Sequence, residues 1–368
     1  MSATVAVRED PSQASIPLTE WVTAELGEFL DEHAALLVSF HSDLALLAEA
    51  AKAAVLEGGK RLRPTFAYWG WRCIQPADTD AEPELIRAAA SLELLQACAL
   101  VHDDVMDASD TRRGRPAAHI RFEQLHGASG WPGSSQSFGR SGAILLGDLL
   151  LSWAEEMFTG AISLLAAERA AAAERQFDLM RTEVVAGQFL DVLAQTRGEF
   201  DPAEALRVIR FKTSKYTVQR PLLLGAAAGG AGSLVLDRLT GYGHALGEAY
   251  QLRDDLLGVF GDPAETGKPA GDDLREGKRT LLVALAAAAA DDAQRRLLDT
   301  GVGNPALSQQ EVDELRAVLR ATGACDQVER RIAERVAEAV GQLATDQLRP
   351  DARQALLELT DTAAHRSF

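Results

Sequence analysis

Three aspartates fall within six residues, in His102-Asp103-Asp104-Val105-Met106-Asp107. Asp103 and Asp107 are four positions apart, which on a helix puts them on one face, one turn apart. Carboxylates this close repel one another unless a hard cation sits between them. Mg²⁺ suits that place, because it takes carboxylate oxygens and shares its other positions with water and phosphate oxygens. A second acid pair, Asp254-Asp255, lies in Tyr250-Gln251-Leu252-Arg253-Asp254-Asp255-Leu256-Leu257, again on an apolar helical pattern. Two such helices predict a facing pair that clamps a polyanion through metal ions. His119, His126 and His244 offer no consistent spacing with His102 for a histidine-based metal site.

The cations are clustered too. Gly58-Gly59-Lys60-Arg61-Leu62-Arg63-Pro64 is a tight turn carrying three positive charges, and Arg112-Arg113-Gly114-Arg115 follows the first acid cluster closely. The net charge is −17, so such clusters have few structural reasons. They fit a diphosphate cradle, with arginine supplying forked donors and lysine a point charge. Lys268 and Lys278 follow the second acid pair, in a loop from Gly261 to Lys278 that is a candidate lid.

The elements that must hold these groups read as helices. The run from Leu92 to Val101 enters the first acid cluster without Gly or Pro, so that cluster rides on a buried helix. Pro17 to Glu57 reads as two amphipathic helices, Ala161 to about Ala194 as one long helix, and Gln309 to Ala364 as amphipathic helices. Gly127 to Gly142 reads as a mobile Gly/Ser-rich loop before a helix over Ala143 to Phe158. No convincing strand, repeat or linker is found. The expected fold is all-α: residues 1–16 a flexible N-terminal segment, residues 17–368 one helical domain.

Composition narrows the function. Hydrophobic residues make up 47% of the 368, rich in Ala and Leu, which favours helix. The acidic balance argues against nucleic acid as a partner. Cys73, Cys98 and Cys325 are an odd number without metal-ligand spacing, as expected of reduced thiols in a cytoplasmic protein. Met1 to about Gln13 lacks the order of a signal peptide. No uninterrupted apolar run reaches the ~18 residues of a membrane span. Leu222 to Leu236 comes closest, and reads as a buried helix with close backbone contacts.

In order, GGKRLRP, HDDVMD with RRGRP, GQFLD, KTSKY, and YQLRDD with GDDLREGKRT closely resemble the trans-isoprenyl diphosphate synthases, geranylgeranyl diphosphate synthases above all. The resemblance spans roughly Leu56 to Leu285. It implies an isoprenoid-synthase-type helical bundle around a deep central cavity, usually a homodimer. It also implies Mg²⁺-dependent condensation of an allylic diphosphate (dimethylallyl, geranyl or farnesyl) with isopentenyl diphosphate. Carried over by motif, Asp103, Asp107 and Asp254 would hold three Mg²⁺, with Asp104 and Asp255 acting mainly through bound water. Arg112, Lys212 and Lys268 would hold the allylic diphosphate, with Lys278 close by. Gln188, Asp191, Thr213, Tyr216 and Gln251 would line the reaction centre. Gly59, Lys60, Arg63, Gln96 and Arg113 would bind isopentenyl diphosphate; many members have His at the place of Gln96, and both donate hydrogen bonds to phosphate. One departure stands out: Gly258 replaces the last aspartate of the second acid motif.

In that frame the three Mg²⁺ and the cations stabilise the departing diphosphate, while Thr213, Gln188 and Tyr216 oxygens face the carbocation. The diphosphate itself can accept the final proton. Product length follows from the turn beneath the aspartates, since each helical turn rises ~5.4 Å, near one isoprene unit. Ala99 and Cys98 are small where short-chain members often carry aromatic rings. The channel is therefore expected to continue to Leu95 and Leu92 and to give a C20 product, with C15 or C25 and longer as alternatives. A terpene cyclase would not need Lys60, Arg63 and Arg113, and a non-catalytic regulatory subunit would be expected to lose one acid motif outright.

Overall fold

The computed structural model describes residues 17–76, 82–261 and 271–364. The expectations for residues 1–16, for Lys268 and for most of the lid segment lie outside the described residues. The described chain is almost wholly helical, with one two-residue β-hairpin, Thr111–Arg112 paired with Arg115–Pro116.

The first half builds one wall. α1 (Leu18–Phe40) and α2 (Ala45–Leu56) precede α3 (Leu62–Arg72) and α4 (Glu82–Met106). The hairpin leads to α5 (Ala118–Ala128), α6 (Ser135–Ile162) and α7 (Ala167–Arg197). α4 packs along α6, and its Leu92, Leu94, Leu95 and Val101 are buried in the largest core cluster. By length and hydropathy α4 could cross a bilayer, yet 72% of its most apolar window is buried by the rest of the chain.

The expected loop over Gly127 to Gly142 is much shorter in the structure. Helix continues to Ala128 and resumes at Ser135, where Ser134 Oγ accepts the Ser137 N–H at 3.2 Å as an N-cap. Trp131, His126 and Phe138 pack edge-on or tilted against one another and pin the turn. Gly139 and Gly142 lie on a helix face, where a Cβ would meet the His119 carbonyl oxygen at 2.4 Å and the Phe122 ring at 2.8 Å, so these small residues serve close packing and not a turn.

The second half closes the cavity. α8 (Pro202–Val208), N-capped by Asp201, runs into a π-helical segment, Ile209–Gln219, then α9 (Arg220–Ala228) and α10 (Ser233–Phe260). The short α11 (Asp272–Glu276) and the apolar α12 (Leu281–Ala289) follow. α13 (Asp292–Gly301), α14 (Gln309–Ala321), α15 (Ala324–Gln342) and α16 (Pro350–Ala364) cover α10 and α12 from outside. Capping boxes at Asp291/Gln294 and Ser308/Glu311 start α13 and α14.

α3 and α9 cross with backbones in near contact. A Cβ on Gly70 would lie 2.0 Å from the Leu222 carbonyl oxygen, and one on Gly225 would lie 1.7 Å from that of Ala67. The close backbone approach expected of the Leu222 stretch is present here. Gly225→Ala is therefore expected to destabilise the fold by roughly 1–3 kcal/mol through overpacking, measured by urea unfolding.

Candidate functional site

One cavity of about 760 Å³ opens between the two halves, bordered by Asp103 from α4 and by Asp254 and Asp255 from α10. The facing of the two acid helices expected from spacing is therefore present. On α4 the border is a helical stripe, Gln96, Ala99, Leu100 and Asp103. Leu95 and Cys98 fall off that stripe; both are buried in the core and neither borders the cavity. Leu92 is likewise buried in the core and does not border the cavity, which reaches Ala99 on this helix. Asp104 also points away: it is 3% exposed and accepts from Arg112 Nε at 2.9 Å. Asp107, one turn past Asp103, is partly exposed and lies outside the cavity border.

Cations brace the first acid wall. Lys212 Nζ donates to Asp191 Oδ2 at 2.6 Å and to Asp103 Oδ1 at 3.1 Å, and Gln188 Nε2 donates to the same Asp103 oxygen at 2.8 Å. Lys212 stands on the π-helical segment, a distortion that periodicity at 3.6 residues does not reveal. α7 reaches that segment closely because residue 187 is glycine: a Cβ there would sit 2.4 Å from the Lys212 backbone nitrogen. Thr213 and the buried Tyr216 from the same segment border the cavity. The Arg63 guanidinium lies 4.3 Å from the Tyr216 ring centre and donates to Thr217 Oγ1 at 2.7 Å.

The electrostatics follow from burial and these pairs. Burial acts to raise the pKa of Asp103, but Lys212, Lys278 and Arg112 outweigh it and hold this carboxyl below its usual range. Asp107 is pushed up to about 6 by burial and by Asp103. Burial acts to lower Lys212, yet Asp191 and Asp103 hold it above its usual value. Arg113, over the Gly58-Gly59 turn, is lowered by burial, with Glu93 opposing and Arg61, Arg112 and Arg63 adding to the effect.

The second acid wall contains a substitution in space. A Cβ on Gly258 would lie 1.9 Å from Asp273 Oδ2, so a carboxylate from α11 fills the place where the missing aspartate's side chain would begin. Asp273 also accepts from Lys278 Nζ at 3.2 Å, and Lys278 pairs with Glu276 at 2.8 Å. Ser109 Oγ donates to Glu276 at 2.8 Å and so ties the turn after the first acid helix to α11. Asp255 is 5% exposed; Gln251 Nε2 donates to its Oδ1 at 2.7 Å, while its Oδ2 has no hydrogen-bond partner among the described residues. Burial, opposed by Gln251 and reinforced by Asp273 and Asp254, pushes Asp255 up to about 8.

The sequence-based assignments missed Asp273, Arg61 and Glu93. The GDDLREGKRT stretch contained Asp273, but no spacing links it to Gly258. Among the described residues no three His, Cys, Asp or Glu side chains converge as a preformed ligand set. The carboxylates stand on two walls, so a cation here would complete its shell with water or substrate oxygens. The seat of Asp273 generates a prediction: Gly258→Asp should lower the melting temperature rather than repair the motif, since it brings a Cβ and a like charge onto Asp273. A melting temperature equal to or above that of the parent chain would count against it.

Known proteins share this sequence pattern and fold. The polyprenyl synthetase family model matches residues 44–319. A geranylgeranyl pyrophosphate synthase from Corynebacterium glutamicum, solved with isoprenyl diphosphate and magnesium, superposes with a TM-score of 0.91 at 40% identity, covering 95% of this chain and 99% of that one. A geranylfarnesyl diphosphate synthase of Aeropyrum pernix is 34% identical over 74% of this chain and 79% of its own. A (2E,6E)-farnesyl diphosphate synthase of Mycobacterium bovis is 32% identical over 80% of this chain and 74% of its own. The chain belongs to the polyprenyl synthetase family.

Proposed function

We propose that this trans-prenyltransferase condenses an allylic diphosphate with isopentenyl diphosphate, with C20 geranylgeranyl diphosphate as its main product. The observation that carries the reading is the cavity itself, with aspartates on two walls and Lys212, Arg112, Lys278, Lys60 and Arg63 at its border. A cyclase reading has no use for the second set of cations at Lys60 and Arg63.

The residues present fit Mg²⁺. Asp255 has a buried oxygen with no hydrogen-bond partner among the described residues, and the raised carboxyls of Asp107 and Asp255 are groups that a nearby cation would relieve. Asp103, Asp107 and Asp254 would hold the ions, and we assign three. When bound, they supply Lewis-acid stabilisation of the leaving diphosphate. The chain's own groups do the rest. Lys212 and Arg112 place fixed positive charge where the diphosphate leaves, and Asp103 and Asp191 orient that lysine. Gln188, Thr213 and the Tyr216 hydroxyl present oxygens to the allylic cation. Lys60, Arg63, Gln96 and Arg113 hold isopentenyl diphosphate with its double bond toward that cation.

Ala99 is the small residue on the cavity border one turn below Asp103, and it supports the C20 assignment. A homodimer is supported by exposed apolar side chains that run from Ile144 and Leu145 on α6, past Met106, to Val185 and Phe189 on α7. His102 bonds the Ile144 carbonyl and Gln188 reaches the Met106 sulfur, so these residues are neighbours.

Incubation with Mg²⁺, labelled isopentenyl diphosphate and each allylic primer is expected to give mainly C20. Ala99→Phe is expected to shift it to C15 or shorter; an unchanged product profile would remove Ala99 from the length determinants. The raised Asp255 carboxyl gives a second expectation. Its pKa is about 8 when folded against about 4 when unfolded. Without metal the folded state therefore loses stability as pH rises through this range. Mg²⁺ should return it, so the gain in melting temperature on adding Mg²⁺ should be larger at pH 8 than at pH 6. Equal gains at both pH values would contradict this.

A further inference from the structure

Glu93 is a charged residue in the apolar interior of α4 that the condensation chemistry does not use. It is 5% exposed, between Leu92 and Leu94, both at 0%. Its partner is Arg61, also 5% exposed, whose Nη1 donates to Glu93 Oε2 at 2.8 Å and to the Val55 carbonyl on α2 at 2.9 Å. Arg61 lies between two cavity cations in sequence, but its side chain runs the other way. Lys60 and Arg63 border the cavity and Arg61 does not.

The backbone turns sharply to allow this reversal. Gly58, Gly59 and Arg61 have φ of 85°, 107° and 50°. The left-handed region is disfavoured for a residue with a Cβ, so something must hold Arg61 there. Arg61 then caps the start of α3: its carbonyl accepts the Thr65 hydroxyl at 2.7 Å and the Thr65 N–H at 3.0 Å. Arg113 lies over the same turn and donates to the Glu57 carbonyl at 3.0 Å. Lys60, Arg61, Arg63 and Arg113 thus crowd one turn, and Glu93 is the buried negative charge beneath it.

A buried ion pair is a poor source of stability, because apolar residues of similar volume often serve as well or better. A role in holding geometry accounts for it. We propose that the buried Arg61–Glu93 pair is a positioning device for the isopentenyl diphosphate site, locking the turn so that Lys60 and Arg63 present their charges to one diphosphate. The proposal rests on the reading of Lys60 and Arg63 given above. Neither Arg61 nor Glu93 touches substrate; they act through the turn.

The test is the double variant Arg61→Met/Glu93→Met, which removes the pair without leaving an unpaired charge. Melting temperature and circular dichroism check the fold. The KM for isopentenyl diphosphate is expected to rise about ten- to a hundredfold, the scale of misplacing a binding group, with kcat and the allylic KM little changed. Metal-free calorimetric binding of isopentenyl diphosphate should weaken by the same factor. A folded double variant with parental KM and affinity overturns the proposal. If the double variant does not fold, Arg61→Gln, which removes the guanidinium that reaches both Glu93 and the Val55 carbonyl, is read in the same two measurements; parental values there overturn it equally. If the parent chain itself does not bind isopentenyl diphosphate, the underlying reading of Lys60 and Arg63 fails instead.

Discussion

The structure depends on keeping carboxylates charged inside a cavity that burial makes hostile to charge. Asp103 stays ionised because Lys212, Lys278 and Arg112 are delivered to it from three other parts of the chain. Without those cations desolvation would push its pKa up, as burial together with Asp273 and Asp254 pushes Asp255 up to about 8 against the smaller opposing effects of Gln251 and Lys278. The long helices serve this balance: α4 carries acid on a buried rod, α7 brings Asp191 and Gln188, and the π-helical segment brings Lys212.

The two walls are unequal. The first is occupied by its own lysine and reads as a finished salt-bridge network. The second keeps an oxygen on Asp255 with no hydrogen-bond partner among the described residues and borrows Asp273 from the next helix. The unsatisfied valence is thus concentrated on α10, the wall that has more to gain from a cation.

Much of this was legible in the sequence. Acid and cation clusters name their own chemistry, and the apolar run into Asp103 foretold a buried helix. Other parts were not legible, for physical reasons. α4 is buried around most of its circumference, so periodicity does not tell the face bordering a cavity from a face packed in the core; Leu95 and Cys98 fall on the latter. Asp273 replaces a side chain fifteen positions earlier, a relation made only by folding. Arg61 sits in a cationic motif yet points into the core, and a string of letters does not carry the sign of φ. The Gly/Ser-rich stretch after Gly127 looked like a loop because small residues mark both turns and close helix contacts.

The Ser109–Glu276 hydrogen bond carries a mechanical consequence. It fastens the exit of α4 to the short helix behind α10, like a latch across the rim. Parting the two walls at this rim costs that contact, about 1 kcal/mol, so the latch biases them toward staying together without fixing them.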